Sequence, residues 1–302
     1  MRSRPSRLLP LRLGTRGSAL ALAQARWVAE LLPGGVELVT ITTGGDRGST
    51  ADKSRFVKEI DDALLAGEID LAVHSAKDVP AQLPDGVSIV GVPERADARD
   101  ALCGAPSLER LPDGAVVGTA SVRRRAELLA LRPDLELREL RGNVDTRLRR
   151  LADGDFDAIV VACAGLARLG RGAEGAPLPE LVPAAGQGCL ALEARTGDER
   201  IGAVAAAVTD GAALTALTAE RALVEALDAT CHTPVGAHAQ PRDGELHLTA
   251  FVGLPDGAHW IRDELAGAPG QPAGLGREVA ARLESAGARE LLAQAAQAAP
   301  LH

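Results

Sequence analysis

Short β-branched runs alternate with helix-like stretches through most of the first 200 residues. SALALAQARWVAELL at 18–32 has the apolar spacing of a helix with Ser18 in the cap position, and VELVTITT at 36–43 follows as a strand. Residues 56–66 read as a helix and IDLAVHS at 69–75 as a strand. After VPERADARDAL the pattern restarts: strand 115–118, helix 121–131, strand 135–140, helix 143–152, strand 157–162. This repetition predicts two α/β lobes with mostly parallel sheets, whose ligands sit at the carboxyl ends of strands. The Gly-punctuated stretch 183–195 precedes another strand and is expected to carry the chain back to the first lobe. From about residue 212 the character changes. A long Ala/Leu helix ends at TCHTPVG, two antiparallel strands are expected in ELHLTAFVG and HWIRDEL, and Ala-rich helices complete a separate α+β domain. The Pro/Gly-rich loop at 267–274 reads as an ordinary connection.

Composition narrows this picture. The chain has 302 residues, 46% of them apolar, and only 2% aromatic with no tyrosine, so its cores must be built from Ala, Leu, Val and Ile. A net charge of −8 argues against a general nucleic-acid surface and requires any anion site to be local. Of 33 basic residues only Lys53, Lys58 and Lys77 are lysine. The four cysteines, Cys103, Cys163, Cys189 and Cys231, are far apart and lack metal-ligand spacing, so no metal is expected. Cys163 and Cys189 sit in apolar runs and are expected to be buried and inert. The basic N-terminus lacks a sustained apolar run of the kind a secretory signal carries, and no segment approaches the length of a membrane span. A cytoplasmic setting is the expectation.

Local chemistry concentrates at predicted strand ends. VGTASVRRR and, one helix and one strand later, RGNVDTR place arginines near two helix starts. Arginine there opposes the helix dipole, yet backbone N–H groups and guanidinium forks together suit a carboxylate or phosphate. Arg123, Arg124, Arg141 and Arg147 are thus candidates for gripping a polyanion, the plainer reading being a solvated basic face. LGTRGSALALAQ offers Arg16 and Ser18 in the same arrangement. In HSAKDVP, Lys77 and Asp78 lie side by side just past a strand: a surface ion pair, or an anion grip beside a carboxylate that steadies a cation or handles a proton. His74 reads as a packed residue rather than a catalyst. Cys231 differs from the other cysteines in preceding a Thr-Pro-Val-Gly loop, where a thiol is able to serve as a nucleophile or attachment point. TTGGDR at 42–47 is a turn whose bare backbone could approach a ligand, and it lacks the GK[ST] of a P-loop.

Taken in order, LGTRGSALALAQA, TTGGD, FVKEIDDALL, DLAVHSAKDVP, RDAL, VGTASVRRR, LRGNVDTRL, DAIVVACAGLARLG, VPAAGQG, ERALVEAL and CHTPVGAHA closely resemble the porphobilinogen deaminase (hydroxymethylbilane synthase) family, essentially end to end. The resemblance implies two lobes like those of type-2 periplasmic binding proteins, 1–94 with 194–211 and 95–193, and a cofactor-bearing α+β domain at 212–302. It implies a transferase of tetrapyrrole and haem biosynthesis. Four porphobilinogen molecules are joined head to tail, ammonia leaves each, and hydrolysis frees hydroxymethylbilane. Asp78 matches the catalytic carboxylate, which would hold pyrrole N–H groups and stabilise the cationic azafulvene. Cys231 matches the residue bearing a dipyrromethane cofactor through a thioether. Arg16, Arg123, Arg124, Arg141, Arg147 and Arg168 match cleft arginines, Lys53 and Lys77 basic positions, and Ser18, Gln24, Ser75, Thr119 and Ser121 polar contacts. Of these, Lys53, Ser75, Lys77, Asp78, Thr119, Ser121, Arg123 and Arg124 would join Cys231 in holding the cofactor. Arg16, Ser18, Gln24, Arg141, Arg147 and Arg168 would bind substrate. The loop before Phe56 departs from the family, reading DKSRF in place of a Gly-rich segment and adding Arg55.

Other function classes fit less well. A solute-binding protein has the two lobes but needs neither Cys231 nor the third domain, and normally carries an export signal. A nucleic-acid binder conflicts with the acidic charge and scarce aromatics. A cysteine protease would need the adjacent His232 to act as base, which neighbouring side chains rarely manage. The expected partner is the small-molecule substrate alone, with no nucleic acid or membrane, and a monomer is expected.

Overall fold

Leu11–Arg16 (β1), Ala19–Leu31 (α1) and Val36–Ile41 (β2) open the chain in the computed structural model, which describes residues 10–42, 54–230 and 232–297. Ser18 caps α1 as its position predicts, its hydroxyl accepting from the Ala21 amide at 3.3 Å. Ser54–Leu65 (α2), Leu71–Ser75 (β3) and Val87–Gly91 (β4) follow. The chain then crosses to a second lobe: Asp100–Cys103 (β5), Val116–Gly118 (β6), Val122–Leu131 (α3), Glu136–Arg138 (β7), Val144–Ala152 (α4), Ala158–Ala162 (β8), Cys163–Arg168 (α5) and Ala176–Leu178 (β9). It returns as Leu190–Arg195 (β10).

The two lobes share one design. The first sheet runs β2-β1-β3-β10-β4 and the second β7-β6-β8-β5-β9. In each, one strand, β10 or β5, pairs antiparallel with both neighbours while the other four strands run one way. The sheets are therefore mostly parallel, as the α/β alternation predicts. The reversed strand is in each case the one arriving from the other lobe. Because β10 begins at Leu190, the return crossing is complete before the expected edge at 193.

Helices Glu199–Ala206 (α6) and Gly211–Ala226 (α7) lead to a third sheet of Val235–Arg242 (β11), Glu245–Gly253 (β12) and Trp260–Gly267 (β13), ordered β11-β12-β13 and antiparallel. Pro272–Ser285 (α8) and Ala288–Gln297 (α9) cover it. The sequence reading expected two strands here. It missed β11 because VGAHAQPR buries only Val, Gly and Ala and carries Pro241, which an edge strand tolerates and a central one does not. Leu223, Leu246, Leu248, Val252, Val279 and Leu283 fill this core. Small residues let α7 and α8 touch: a Cβ on Gly276 would lie 2.2 Å from the Ala219 carbonyl oxygen. Among the described residues, no single helix is long and apolar enough to cross a membrane.

One buried carboxylate ties the crossings to the third domain. Glu220 on α7 is fully buried; Oε1 accepts from Arg95 Nη1 at 2.6 Å and the Ala239 amide at 2.8 Å, and Oε2 accepts from the Gly186 amide at 2.7 Å. Arg95, in the outward crossing, also donates to the Gln187 carbonyl in the return crossing at 2.8 and 3.0 Å. Burial pushes the Glu220 carboxyl up, but Arg95, His238 and these hydrogen bonds outweigh it and hold the group ionised. Replacing Glu220 with Gln should strand the Arg95 charge and lower stability by about 3–5 kcal/mol, measurable by urea unfolding.

Candidate active site

The first wall of the site grows from β3. LAVHS is a buried strand, and Ala76–Asp78 turns off its carboxyl end as a single 3-10 turn locked by buried Ala76 and Val79. Ser75 accepts from Gln24 Nε2 at 2.9 Å, which fixes the strand end to α1. Lys77 and Asp78 are half-buried. Lys77 Nζ donates to Gln187 Oε1 at 3.0 Å. Arg16 ends β1 beside them, and both Arg16 and Asp78 act electrostatically on His74. His74 is 5% exposed; burial first, then Arg16, lowers its pKa to about 4 despite Asp78. It is the packed, neutral residue the sequence suggested.

The opposite wall rises from β6. Thr119 is buried and accepts from the Ser121 amide at 3.2 Å; Ser121 caps α3 by accepting from the Arg124 amide at 3.4 Å. The two arginines behind this cap turn into the fold. Arg123, expected to grip ligand, turns inward: it is 3% exposed and donates to Asp100 at 2.7 Å, Glu127 at 2.6 Å and the Val182 carbonyl at 2.7 Å. Arg124 is also buried, holding Asp100 Oδ1 at 3.0 and 2.7 Å and the Val160 carbonyl at 2.9 Å. The cause is Asp100, which opens the reversed strand β5 with no exposure at all. Burial alone would neutralise it, but the two guanidiniums and a bond from Gln187 keep its carboxyl far below the usual range. Glu127, behind Arg123, is raised by burial to about 7. Arg123 is thus held between two buried acids of the protein, Asp100 and Glu127.

Arg147 and Arg168 behave differently. Arg147, on α4, donates to the Gly142 carbonyl at 2.8 Å, and Arg168, ending α5, to the Gly188 carbonyl at 2.7 Å. Among the described residues neither has a carboxylate at ion-pair distance. Burial, joined by repulsion from Arg124 and only partly offset by Asp78, brings Arg147 down to about 10; burial brings Arg168 to about 10 as well. A half-buried guanidinium below its normal range marks a place short of negative charge, and an anionic ligand would supply it. The same coupling places Arg147 within electrostatic reach of Asp78, across the lobes. Arg141 is more exposed and pairs with Glu139 at 2.6 Å. Ser18, as the α1 cap, has one acceptor site engaged. Lys53, Cys231 and TTGGDR beyond Thr42 lie outside the described residues. Cys163 and Cys189 were expected to be buried and inert: burial pushes Cys189 to about 12 and Cys163 to about 11, although Cys163 is only half-buried, and it pushes Cys103 to about 11 as well.

Gln187 was missed as a site residue. Its Oε1 receives Lys77 at 3.0 Å and Arg124 at 3.5 Å, while Nε2 donates to Asp100 at 2.8 Å and the Ala98 carbonyl at 2.7 Å. This amide ties the Asp78 turn to the opposite wall. The motif AGQG held the signal: Gly186 has φ +73° and a Cβ there would meet Ala76 C at 2.9 Å, so the crossing is pressed against the turn.

Comparison with known proteins agrees with this geometry. Residues 11–203 match the family model "Porphobilinogen deaminase, dipyromethane cofactor binding domain", and 214–285 match "Porphobilinogen deaminase, C-terminal domain". The chain belongs to the porphobilinogen deaminase family. The family's Thermus thermophilus porphobilinogen deaminase is 48% identical over 294 residues, covering 93% of this chain and 98% of that one. That of Deinococcus radiodurans is 46% identical over 299 residues, with 93% and 97% covered. A periplasmic substrate-binding protein structure from Coxiella burnetii shares 16% identity over 68% of this chain and 94% of its own, with a TM-score of 0.41. The lobe architecture stands on the sheet orders rather than on that likeness.

The two kinds of arginine should separate experimentally. Arg123→Leu, which strands Asp100 and Glu127, is expected to lower stability by about 3–5 kcal/mol. Arg147→Leu removes a charge that has no carboxylate, so urea unfolding should shift by no more than about 0.5 kcal/mol, or toward greater stability.

Proposed function

We propose that this enzyme builds its product in the cleft between the two lobes, with Asp78 as the catalytic carboxylate and a set of arginines as the grip for its acidic substrate. The activity is that of porphobilinogen deaminase, a transferase that condenses four porphobilinogen molecules head to tail, releases ammonia and hydrolyses off hydroxymethylbilane. The observation supporting the residue assignment is Gln187, which accepts from Lys77 beside Asp78 at 3.0 Å and donates to Asp100 behind the Thr119–Arg124 wall at 2.8 Å, bringing the Asp78 turn and that wall together.

The cationic surplus at Arg147 and Arg168 fits dipyrromethane, whose rings each carry two carboxylates. Cys231 is its proposed attachment point through a thioether. Ser75, Lys77, Asp78, Thr119, Ser121, Arg124 and Lys53 are the residues proposed to hold it. When bound, that group supplies a tethered, electron-rich pyrrole as primer. Arg123 serves the same wall indirectly by neutralising Asp100. Arg16, Ser18, Gln24, Arg141, Arg147 and Arg168 are proposed for the incoming substrate. Guanidinium suits the task because it stays charged and offers a planar fork to each carboxylate. Asp78 accepts pyrrole N–H bonds and stabilises positive charge as ammonia departs, a fixed anion placed where a cation develops.

The proposed units are the two lobes and the third domain carrying Cys231. A monomer is the proposed state. Unpaired Cys103, Cys163 and Cys189 are compatible with a cytoplasmic setting.

Intact mass should show an adduct of two linked pyrroles, absent in Cys231→Ala; an active enzyme with the bare-chain mass would refute the attachment. Asp78→Asn should keep the adduct and lose nearly all turnover in a steady-state assay. Arg147→Leu should slow elongation by about ten- to a hundredfold, from the roughly 1.5–3 kcal/mol of a charged hydrogen bond. A ladder of partial oligopyrrole masses is the expected readout, and normal progression would remove Arg147 from the grip.

A further inference from the structure

Behind the Asp78 turn, on the face of β3 opposite Ser75, three ionisable side chains converge in the core. Asp61 on α2 is 3% exposed, His74 on β3 5% and Glu193 on β10 0%. His74 Nε2 lies 3.4 Å from Glu193 Oε2, and one polar atom from each residue falls within 4.8 Å of the others. Taken as ionised, Asp61 Oδ1, His74 Nε2 and both Glu193 oxygens have no hydrogen-bond partner. Four orphaned polar atoms at one buried spot would be strongly destabilising, and two adjacent buried carboxylates do not both stay ionised. One proton between the acids pairs Asp61 Oδ1 with one Glu193 oxygen, because a carboxylic acid donates where a carboxylate only accepts, and a neutral His74 ring carrying its proton on Nε2 faces Glu193 Oε2 at 3.4 Å.

We propose that Asp61, His74 and Glu193 form a proton-sharing cluster, one proton held between the two carboxyl groups, that positions the end of β3 and the Asp78 turn. None of the three touches substrate in this reading; they are positioning residues, and their link to turnover rests on the assignment of Asp78 above. The shared proton joins α2 to β10, and His74 of β3 packs against Glu193 at 3.4 Å, so the cluster links three elements behind the Asp78 turn. His74 sits two residues before the turn and feels both Asp78 and Arg16. The charged groups facing the cluster are Asp62 beside Asp61, Asp78 and Arg16 toward His74, and Arg221 of α7 toward Glu193. Burial and then Asp61 raise Glu193 to about 8, and burial raises Asp61 to about 6, so the pair retains one proton at neutral pH.

The sign of the pH effect follows. Unfolded, Glu193 titrates near 4.5. Between that value and about 8 the folded chain holds a proton that the unfolded chain has lost, so stability falls as pH rises through this window and levels off above it.

The test compares the cofactor-loaded wild type with Glu193→Gln and Asp61→Asn. Each variant keeps a neutral donor beside an acceptor but removes the shared proton. In urea unfolding between pH 5 and 8, the wild-type unfolding constant should rise relative to Glu193→Gln by up to about tenfold per pH unit. A purely packing role would shift both curves equally at every pH and would overturn the proposal. Asp61→Asn should flatten the same slope, since Glu193 then has no anionic neighbour. With kcat normalised to each enzyme's own maximum, wild-type turnover should fall as pH passes about 8 and Glu193→Gln should lack that fall. A changed stability slope with an unchanged kcat profile would overturn the positioning role. Stoichiometric metal in the purified enzyme would overturn the shared proton, because a cation would displace it. Failure of the Asp78 assignment would appear separately, as turnover retained in Asp78→Asn while the stability slope stands.

Discussion

A carboxylate removed from water must be matched by charge and hydrogen bonds, and this constraint organises the whole molecule. Asp100 and Glu220 sit at the crossings between lobes and at the third domain, both fully buried. Asp100 draws Arg123 and Arg124 inward; Glu220 draws Arg95 and the amides of Gly186 and Ala239. Gln187 lies between the two systems, receiving Lys77 from one lobe while donating to Asp100 in the other. This part of the molecule therefore has a polar floor whose groups are mostly paired within the protein, though Arg123 Nε and His238 Nδ1 are buried without a hydrogen-bond partner. Its geometry is set before any ligand arrives.

Against that floor, two guanidiniums stand out by what they lack. Arg123 and Arg124 hold a carboxylate, whereas Arg147 and Arg168 hold backbone carbonyls and are pulled down to about 10. This separates two roles that are indistinguishable by residue type. The first pair is engaged by acids of the fold itself, and among the described residues the second pair has no carboxylate at ion-pair distance. An oligopyrrole that gains two carboxylates with each ring is the kind of ligand that such a surplus suits, and each addition eases the repulsion among the cations.

Much of this was legible along the chain. The 3.6-residue and two-residue periods located most elements within a few residues, since burying one helix face or a whole strand leaves a direct mark on hydrophobic spacing. Ser18, Ser121 and Asn143 cap helices where they were expected to start. Strand β11 left no such mark, because its buried positions are glycine, alanine and one valine. Gln187 and Asp100 sat within quoted motifs, but an amide or an acid in an apolar stretch does not announce its partner.

The sequence by itself determined the α/β alternation, the two repeats and the family. All of these follow from local spacing and motif identity. Only the tertiary structure decided which arginines are neutralised within the fold and which remain available. Asp100 reaches Arg123 across 23 positions, and Gln187 meets Lys77 across 110. Charge pairing acts through space, so residues identical in composition and neighbouring in sequence acquire opposite roles once folding selects what lies beside them.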